Sequence, residues 1–175
     1  PEQDVNYIGF FQSEKYFENI SDQLRNEDFK FKDYIVESCQ SIVEECDDAI
    51  SLHIRRNDYL TNNNHPIQFN DYYVSALKKF PEDKTVLIFS DDISWCKEQE
   101  MFSGDRFLIS ETENSYFDFY IMSKCKYHII ANSSYSWWGA WLADSKNVIA
   151  PKIWFSGDCI NHNTKDLYLK HWDIL

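Results

Sequence analysis

Glycine and proline are scarce: four of each interrupt 175 residues. That excludes a collagen-like or low-complexity chain, and an aromatic share of 17% excludes a disordered one. Neither GxGxxG nor GxxxxGK[ST] occurs, so the dinucleotide fingerprint and the P-loop are both ruled out. No apolar run approaches the roughly 20 residues of a membrane-spanning helix. The opening Pro1-Glu2-Gln3-Asp4 has neither the positive start nor the apolar centre of a signal peptide. It also lacks an initiator Met, and the expectation is a piece of a longer protein. Positive charge is short as well, with 17 Lys and Arg against 29 Asp and Glu and a net charge of −12. Such a surface disfavours nucleic acid and anionic membranes as partners. The five cysteines, Cys39, Cys46, Cys96, Cys125 and Cys159, are odd in number, widely spaced from one another and form no CxxC. They read as reduced thiols of a cytoplasmic protein, with no metal site.

What is present fits one globular domain, with 43% hydrophobic and 26% charged residues. The first 46 residues have helical periodicity: Tyr16, Phe17, Ile20 and Leu24 share a face, as do Ile35, Cys39, Ile42, Val43 and Cys46. From there strands and helices alternate. Expected strands are 49–54, 85–89, 106–109, 127–131 and 147–150; expected helices are 71–80, 93–101, 115–125 and 135–142. The pattern predicts an α/β, Rossmann-like parallel sheet flanked by helices. The expected organisation is a helical segment, 1–46, packed on a Rossmann-like domain, 47–175. The tract Thr61-Asn62-Asn63-Asn64-His65-Pro66 reads as a polar, mobile loop.

In a parallel sheet the strand ends share one edge, where such folds bind ligands. Two of the chain's four arginines, Arg55 and Arg56, follow the first strand in His53-Ile54-Arg55-Arg56-Asn57-Asp58. Guanidinium forks grip phosphate oxygens, so the pair is either a phosphate clamp or a surface ion-pairing couple. Ser90-Asp91-Asp92 ends the second strand and reads as a helix cap, a ribose or purine contact, or a magnesium site. Asn132-Ser133-Ser134-Tyr135-Ser136 ends the fourth and is either a helix N-cap or a phosphate cradle facing the arginines. Trp137-Trp138-Gly139-Ala140-Trp141-Leu142 reads as core, with sugar stacking as the functional alternative. Asp118, set among aromatics, is either an exposed helix residue or a buried acceptor of hydroxyl or N–H donors.

Taken with Phe89-Ser90-Asp91-Asp92 and Trp95, Asp118-Phe119-Tyr120-Ile121-Met122-Ser123, Ile149-Ala150-Pro151-Lys152-Ile153-Trp154-Phe155 and the opening Gly9-Phe10-Phe11-Gln12-Ser13, these motifs resemble the bacterial α-1,2-fucosyltransferase family, glycosyltransferase family 11. The resemblance implies the donor-binding half of a GT-B enzyme moving fucose from GDP-fucose to a sugar hydroxyl. Transfer would be α-1,2, inverting and metal-independent, with no cofactor beyond the donor. Arg55 and Arg56 would be catalytic, neutralising the departing diphosphate. His53 and Ser90 would line the nucleotide site, Asp91 or Asp92 would hold guanine or ribose, and Asp118 is a further donor contact. Asn132, Ser133, Ser134 and Ser136 would form the phosphate side, and Asp58 would orient the arginines.

The implied partners are GDP-fucose and a galactose-terminated acceptor glycan. The implied location is the cytoplasm, including peripheral attachment at the inner membrane. Two positions depart from the family pattern. Asn57 stands where Gly is usual, which predicts a left-handed turn. The family's glycine-rich N-terminal half is missing, which predicts an incomplete enzyme with an exposed interface and a tendency to self-associate. A noncatalytic or truncated GDP-sugar binding module carries the same motifs. An acidic scaffold for a protein partner is the reading in which the arginines are incidental.

Overall fold

The structure is a computed structural model that describes residues 6, 12–44, 46–112 and 114–175. Among them are six parallel strands in one sheet: β1 (Ile50–Ile54), β2 (Val86–Ser90), β3 (Phe107–Ile109), β4 (Tyr127–Ile129), β5 (Asn147–Ala150) and β6 (Asp173–Ile174). Their order is β3-β2-β1-β4-β5-β6. The chain winds outward from β1 to β3, returns to the middle, then winds the other way from β4 to β6. That reversal places a topological switch point between β1 and β4, where open α/β sheets leave a crevice at the carboxyl ends.

Alternation along β1 divides the core between the two faces. Ile50, Leu52 and Ile54 join Val86, Ile88, Ile129 and Ile149 beneath α3 (Asn70–Leu77) and α4 (Ile93–Glu98). The opposite face is covered by α2 (Asp33–Val43), α5 (Ser115–Met122) and α6 (Ser134–Leu142). Trp137 and Trp141 of α6 are fully buried, each contributing roughly 1.5–3 kcal/mol of hydrophobic stabilisation. On this face Ser51 Oγ meets His128 Nδ1 at 2.9 Å, and His128 Nε2 meets the Cys125 carbonyl at 3.0 Å. Burial pushes His128 down to about 4, so the pair is buried without a charge.

The N-terminal helix expected from periodicity is instead a series of short turns. Glu14–Tyr16 and Glu18–Ile20 are 3-10 turns, α1 (Ser21–Gln23) is one helical turn, and Leu24–Asp28 is a π turn. Phe17 leaves helical geometry at φ −141°, which lets its ring stack on Trp138 at 5.3 Å and meet Trp141 edge-on at 5.1 Å. Packing thus overrides local propensity. Phe17 and Leu24 reach the core, whereas Tyr16 and Ile20 from the same expected face are exposed. Arg25 fixes this segment to α6, its guanidinium 4.0 Å over the Trp141 ring and its Nε donating to the Trp141 carbonyl at 3.0 Å. In α2, Ile35 and Cys39 are buried as the pattern predicts, while Ile42 faces outward. The residues Gly9 to Phe11, part of the opening motif, lie outside the described residues.

Candidate functional site

Parallel pairing of Ile54 with Ser90 brings the chain leaving β1 beside the chain leaving β2. The arginines therefore emerge against two aspartates. Asp91 Oδ1 accepts the Arg56 backbone N–H at 2.8 Å, and its Oδ2 lies 3.2 Å from Arg55 Nε. Asp92 Oδ2 accepts from Arg56 Nε at 3.0 Å, and its Oδ1 caps α4 by accepting the Trp95 N–H at 3.1 Å. Asp58 Oδ1 stands 2.8 Å from Arg55 Nε. The Trp95 ring lies 4.0 Å under the Arg56 guanidinium. Ser90 Oγ accepts the Asp92 N–H at 3.0 Å and fixes that turn. Both guanidiniums are thereby held in place before any ligand arrives, which is the preorganisation that electrostatic stabilisation of a growing negative charge requires.

Asn57 does not take the left-handed turn that replacement of Gly predicts. Its backbone is right-handed, φ −38° and ψ −74°, and its side-chain amide donates to the Asp91 carbonyl. The side chain thus adds a strap between the two strand ends, a role glycine could not fill.

Across the switch point, the residues after β4 divide by the direction of their bonds. Asn132 is buried and donates to the Pro66 and Trp154 carbonyls, both at 3.0 Å, while accepting from Gln68 Nε2 at 2.9 Å. Ser136 is also buried and donates to the Ala131 and Ser133 carbonyls. These two hold the turn. Ser133 occupies the N-cap of α6, yet its hydroxyl makes no capping bond, and Ser134 opens the helix exposed to solvent. Free N–H groups and a hydroxyl without a cap partner, at the start of a nine-residue helix, suit an anion. Tyr59 Oη donates to the Asn132 carbonyl at 2.9 Å and ties the β1 end to the β4 end.

His53 is buried at the penultimate position of β1, its ring 5.3 Å from Tyr135. Burial first and the Arg55 charge second push it down to about 3, so it is neutral, and its Nδ1 has no partner among the described residues. Asp118 stands apart from the arginines. Its Oδ1 accepts from Ser110 Oγ at 2.5 Å, and burial raises its carboxyl to about 6 against the opposing effect of that bond. Ser110 and Phe117 line a cavity of about 430 Å³ with Leu87, Phe89 and Leu108. A second cavity, about 660 Å³, borders Asp58, Asn132 and Ser134. The expected site residues thus form one bonded arginine–carboxylate cluster beyond β1, a helix start beyond the neighbouring β4, and a separate Asp118–Ser110 pair.

The whole chain, residues 1–175, matches the family model described as Glycosyl transferase family 11. The chain belongs to that family. It is 38% identical over 169 residues to an alpha-1,2-colitosyltransferase of Escherichia coli, covering 90% of this chain and 58% of the relative. An O-antigen biosynthesis glycosyltransferase of Escherichia coli is 39% identical over 137 residues, 71% of this chain and 45% of the relative. Galactoside alpha-(1,2)-fucosyltransferase 1 of Leontocebus fuscicollis is 24% identical over 163 residues, 80% of this chain and 43% of the relative. This family 11 chain therefore spans about half the length of the curated relatives it matches.

Tyr59, Trp95 and Tyr135 contact the expected residues, although the sequence assigned none of the three an individual role. Trp95 left one signal, its place at the third position after Asp92, where its N–H reaches the capping carboxylate. Tyr59 and Tyr135 left none, because their partners Asn132 and Ser115 are distant in sequence. Among the described residues no helix is long and apolar enough to cross a membrane.

Proposed function

We propose that this chain is the donor-binding part of an α-1,2-fucosyltransferase that uses GDP-fucose and a glycan acceptor ending in galactose. The carrying observation is the pair Arg55 and Arg56, fixed by carboxylates just beyond β1, with the uncapped start of α6 just beyond the neighbouring β4. A diphosphate in that crevice meets two guanidiniums, the Ser133 hydroxyl and the first N–H groups of α6. The guanine base extends toward Asp118 and the apolar cavity beside Ser110, with neutral His53 between. In the reaction the acceptor oxygen bonds to the anomeric carbon from the face opposite the diphosphate. The bond between the anomeric carbon and the diphosphate oxygen breaks, GDP leaves with the electron pair, the acceptor hydroxyl's proton passes to a base, and the anomeric configuration inverts. The charge developing on the leaving oxygen is met by Arg55 and Arg56, so no divalent metal is required, and EDTA should leave the rate unchanged. Asp58, Asp91 and Asp92 act through the arginines.

The test is fucose transfer by the full-length protein. Arg55→Ala or Arg56→Ala should raise the barrier by about 2–4 kcal/mol while the fold persists by circular dichroism. Near wild-type turnover in both variants would refute the clamp.

The length relative to its relatives favours a second reading, a GDP-sugar binding unit that does not turn over unaided. Positioning of an acceptor hydroxyl supplies several kcal/mol of barrier lowering. The 175-residue chain should then bind GDP by calorimetry yet transfer slowly, and ordinary enzyme rates would exclude it. Similarity to a colitosyltransferase makes the donor a second question, settled by presenting the GDP-linked fucose and colitose donors in competition.

A further inference from the structure

We infer that the 660 Å³ cavity beside the arginines is a saccharide site for an uncharged sugar, with His65 as its polar binding residue. The inference rests on the diphosphate reading above, since a sugar carried on that diphosphate must lie directly next to the clamp. The cavity does so: it shares Asp58 with the Arg55 contacts and Ser134 with the start of α6. Its size falls within the roughly 300–1,000 Å³ of small-ligand sites.

One wall is a continuous run of rings. Tyr59 stacks on His65 at 5.2 Å, His65 meets Phe155 at 5.3 Å, and Phe155 meets His162 edge-on at 5.2 Å. The C–H face of a pyranose packs on such rings, which have apolar bodies and polar edges. The remaining lining includes the uncharged hydrogen-bonding side chains of Gln12, Asn62, Asn163 and Thr164. Two buried lining atoms, His65 Nδ1 and Gln12 Nε2, have no partner among the described residues. Folded proteins rarely leave buried polar atoms unmatched, and each asks for an explanation. A sugar hydroxyl both donates and accepts, so it can answer either atom. Burial lowers the His65 pKa with Asp58 opposing, and the neutral imidazole then offers one donor and one acceptor.

Charge selects among sugars. Among the described residues no lysine or arginine lines the cavity. Its two acids are already paired outside it, Asp58 with Arg55 and Asp166 with Lys15. A carboxylated sugar would enter beside two carboxylates with no cation of its own, whereas a deoxyhexose brings hydroxyls to the amides and a methyl group to Phe155 and Leu167.

Calorimetry on the full chain with GDP, GDP-fucose and the uronic acid donor GDP-mannuronate tests this. GDP-fucose should bind about fivefold or more tighter than GDP, and GDP-mannuronate no tighter than GDP. His65→Ala should remove about three- to tenfold of the fucose advantage, the worth of one neutral hydrogen bond, and leave GDP affinity unchanged. Equal binding of GDP and GDP-fucose, an advantage for GDP-mannuronate, or equal weakening of both ligands in His65→Ala would overturn the sugar site while sparing the diphosphate clamp. Absence of binding by all three ligands would overturn the clamp and the sugar site together. Should His65→Ala lose its cooperative melting transition, His162→Ala at the exposed rim takes its place. A fucose advantage reduced about two- to threefold supports the site, and an unchanged advantage overturns it.

Discussion

At the scale of single residues, Asp118 offers the sharpest test because its two linked effects run in opposite directions. Its carboxyl titrates near 6 in the folded chain against an ordinary value of 3.8. Between those values the folded state keeps a proton that the unfolded state has released. Stability from this group therefore falls as pH rises from about 4 to 6, and Asp118→Asn should flatten the denaturant-midpoint profile across that window. GDP binding should respond the other way, because only the ionised carboxylate accepts two N–H donors from a base. Affinity is expected to weaken below pH 6, by up to about tenfold per unit, and to lose that dependence in Asp118→Asn. A pH-independent wild-type affinity would remove Asp118 from the base contact. The sequence made Arg55 and Arg56 conspicuous through scarcity and position. It could not show that Asp91 and Asp92 are bound to those arginines, since that depends on the register of Ile54 against Ser90. Nor could it separate Ser133, whose hydroxyl makes no capping bond, from Asn132 and Ser136, whose bonds run inward.

At the scale of elements, the contact of α5 with α6 is set by Gly139. A Cβ there would stand 2.5 Å from Met122 Sδ and 2.9 Å from its Cγ. Alanine would return up to about 1 kcal/mol through helix propensity. Overpacking against a side chain as buried as Met122 costs about 1–3 kcal/mol, so the repulsive effect wins. Gly139→Ala should lower the urea midpoint and, by displacing the start of α6, weaken GDP binding in parallel. Unchanged stability would mean that Met122 yields freely. Five strands and four of the larger helices were legible because each carries its own apolar period. The strand order was not, because β1 pairs with β4 over a separation that no local pattern encodes. β6 was missed for a related reason: two exposed residues, Asp173 and Ile174, become a strand only because β5 offers them an edge. The N-terminal turns obey the indoles of α6 rather than their own periodicity. The tract from Thr61 to Pro66, polar by composition, is tied down by the Ser156 N–H and hydroxyl donating to the Asn64 and Asn63 carbonyls.

At the scale of the whole molecule, the ring of acids around the arginines has a kinetic consequence. Two guanidiniums against Asp58, Asp91 and Asp92 leave the cluster at one negative charge, 2 − 3 = −1, inside a chain of −12. An incoming nucleotide anion therefore feels no long-range pull toward its own binding site. Attraction begins only at contact distance, once phosphate oxygens can displace carboxylate oxygens, most readily those of the half-exposed Asp58. Most anion sites steer their ligands, and added salt slows capture. Here salt screens a repulsive field over a Debye length of about 10 Å at 0.1 M, so stopped-flow association of GDP should quicken as ionic strength rises from about 10 to 150 mM. Slower capture over that range would mean that the guanidiniums outweigh their carboxylates at a distance as well as in contact.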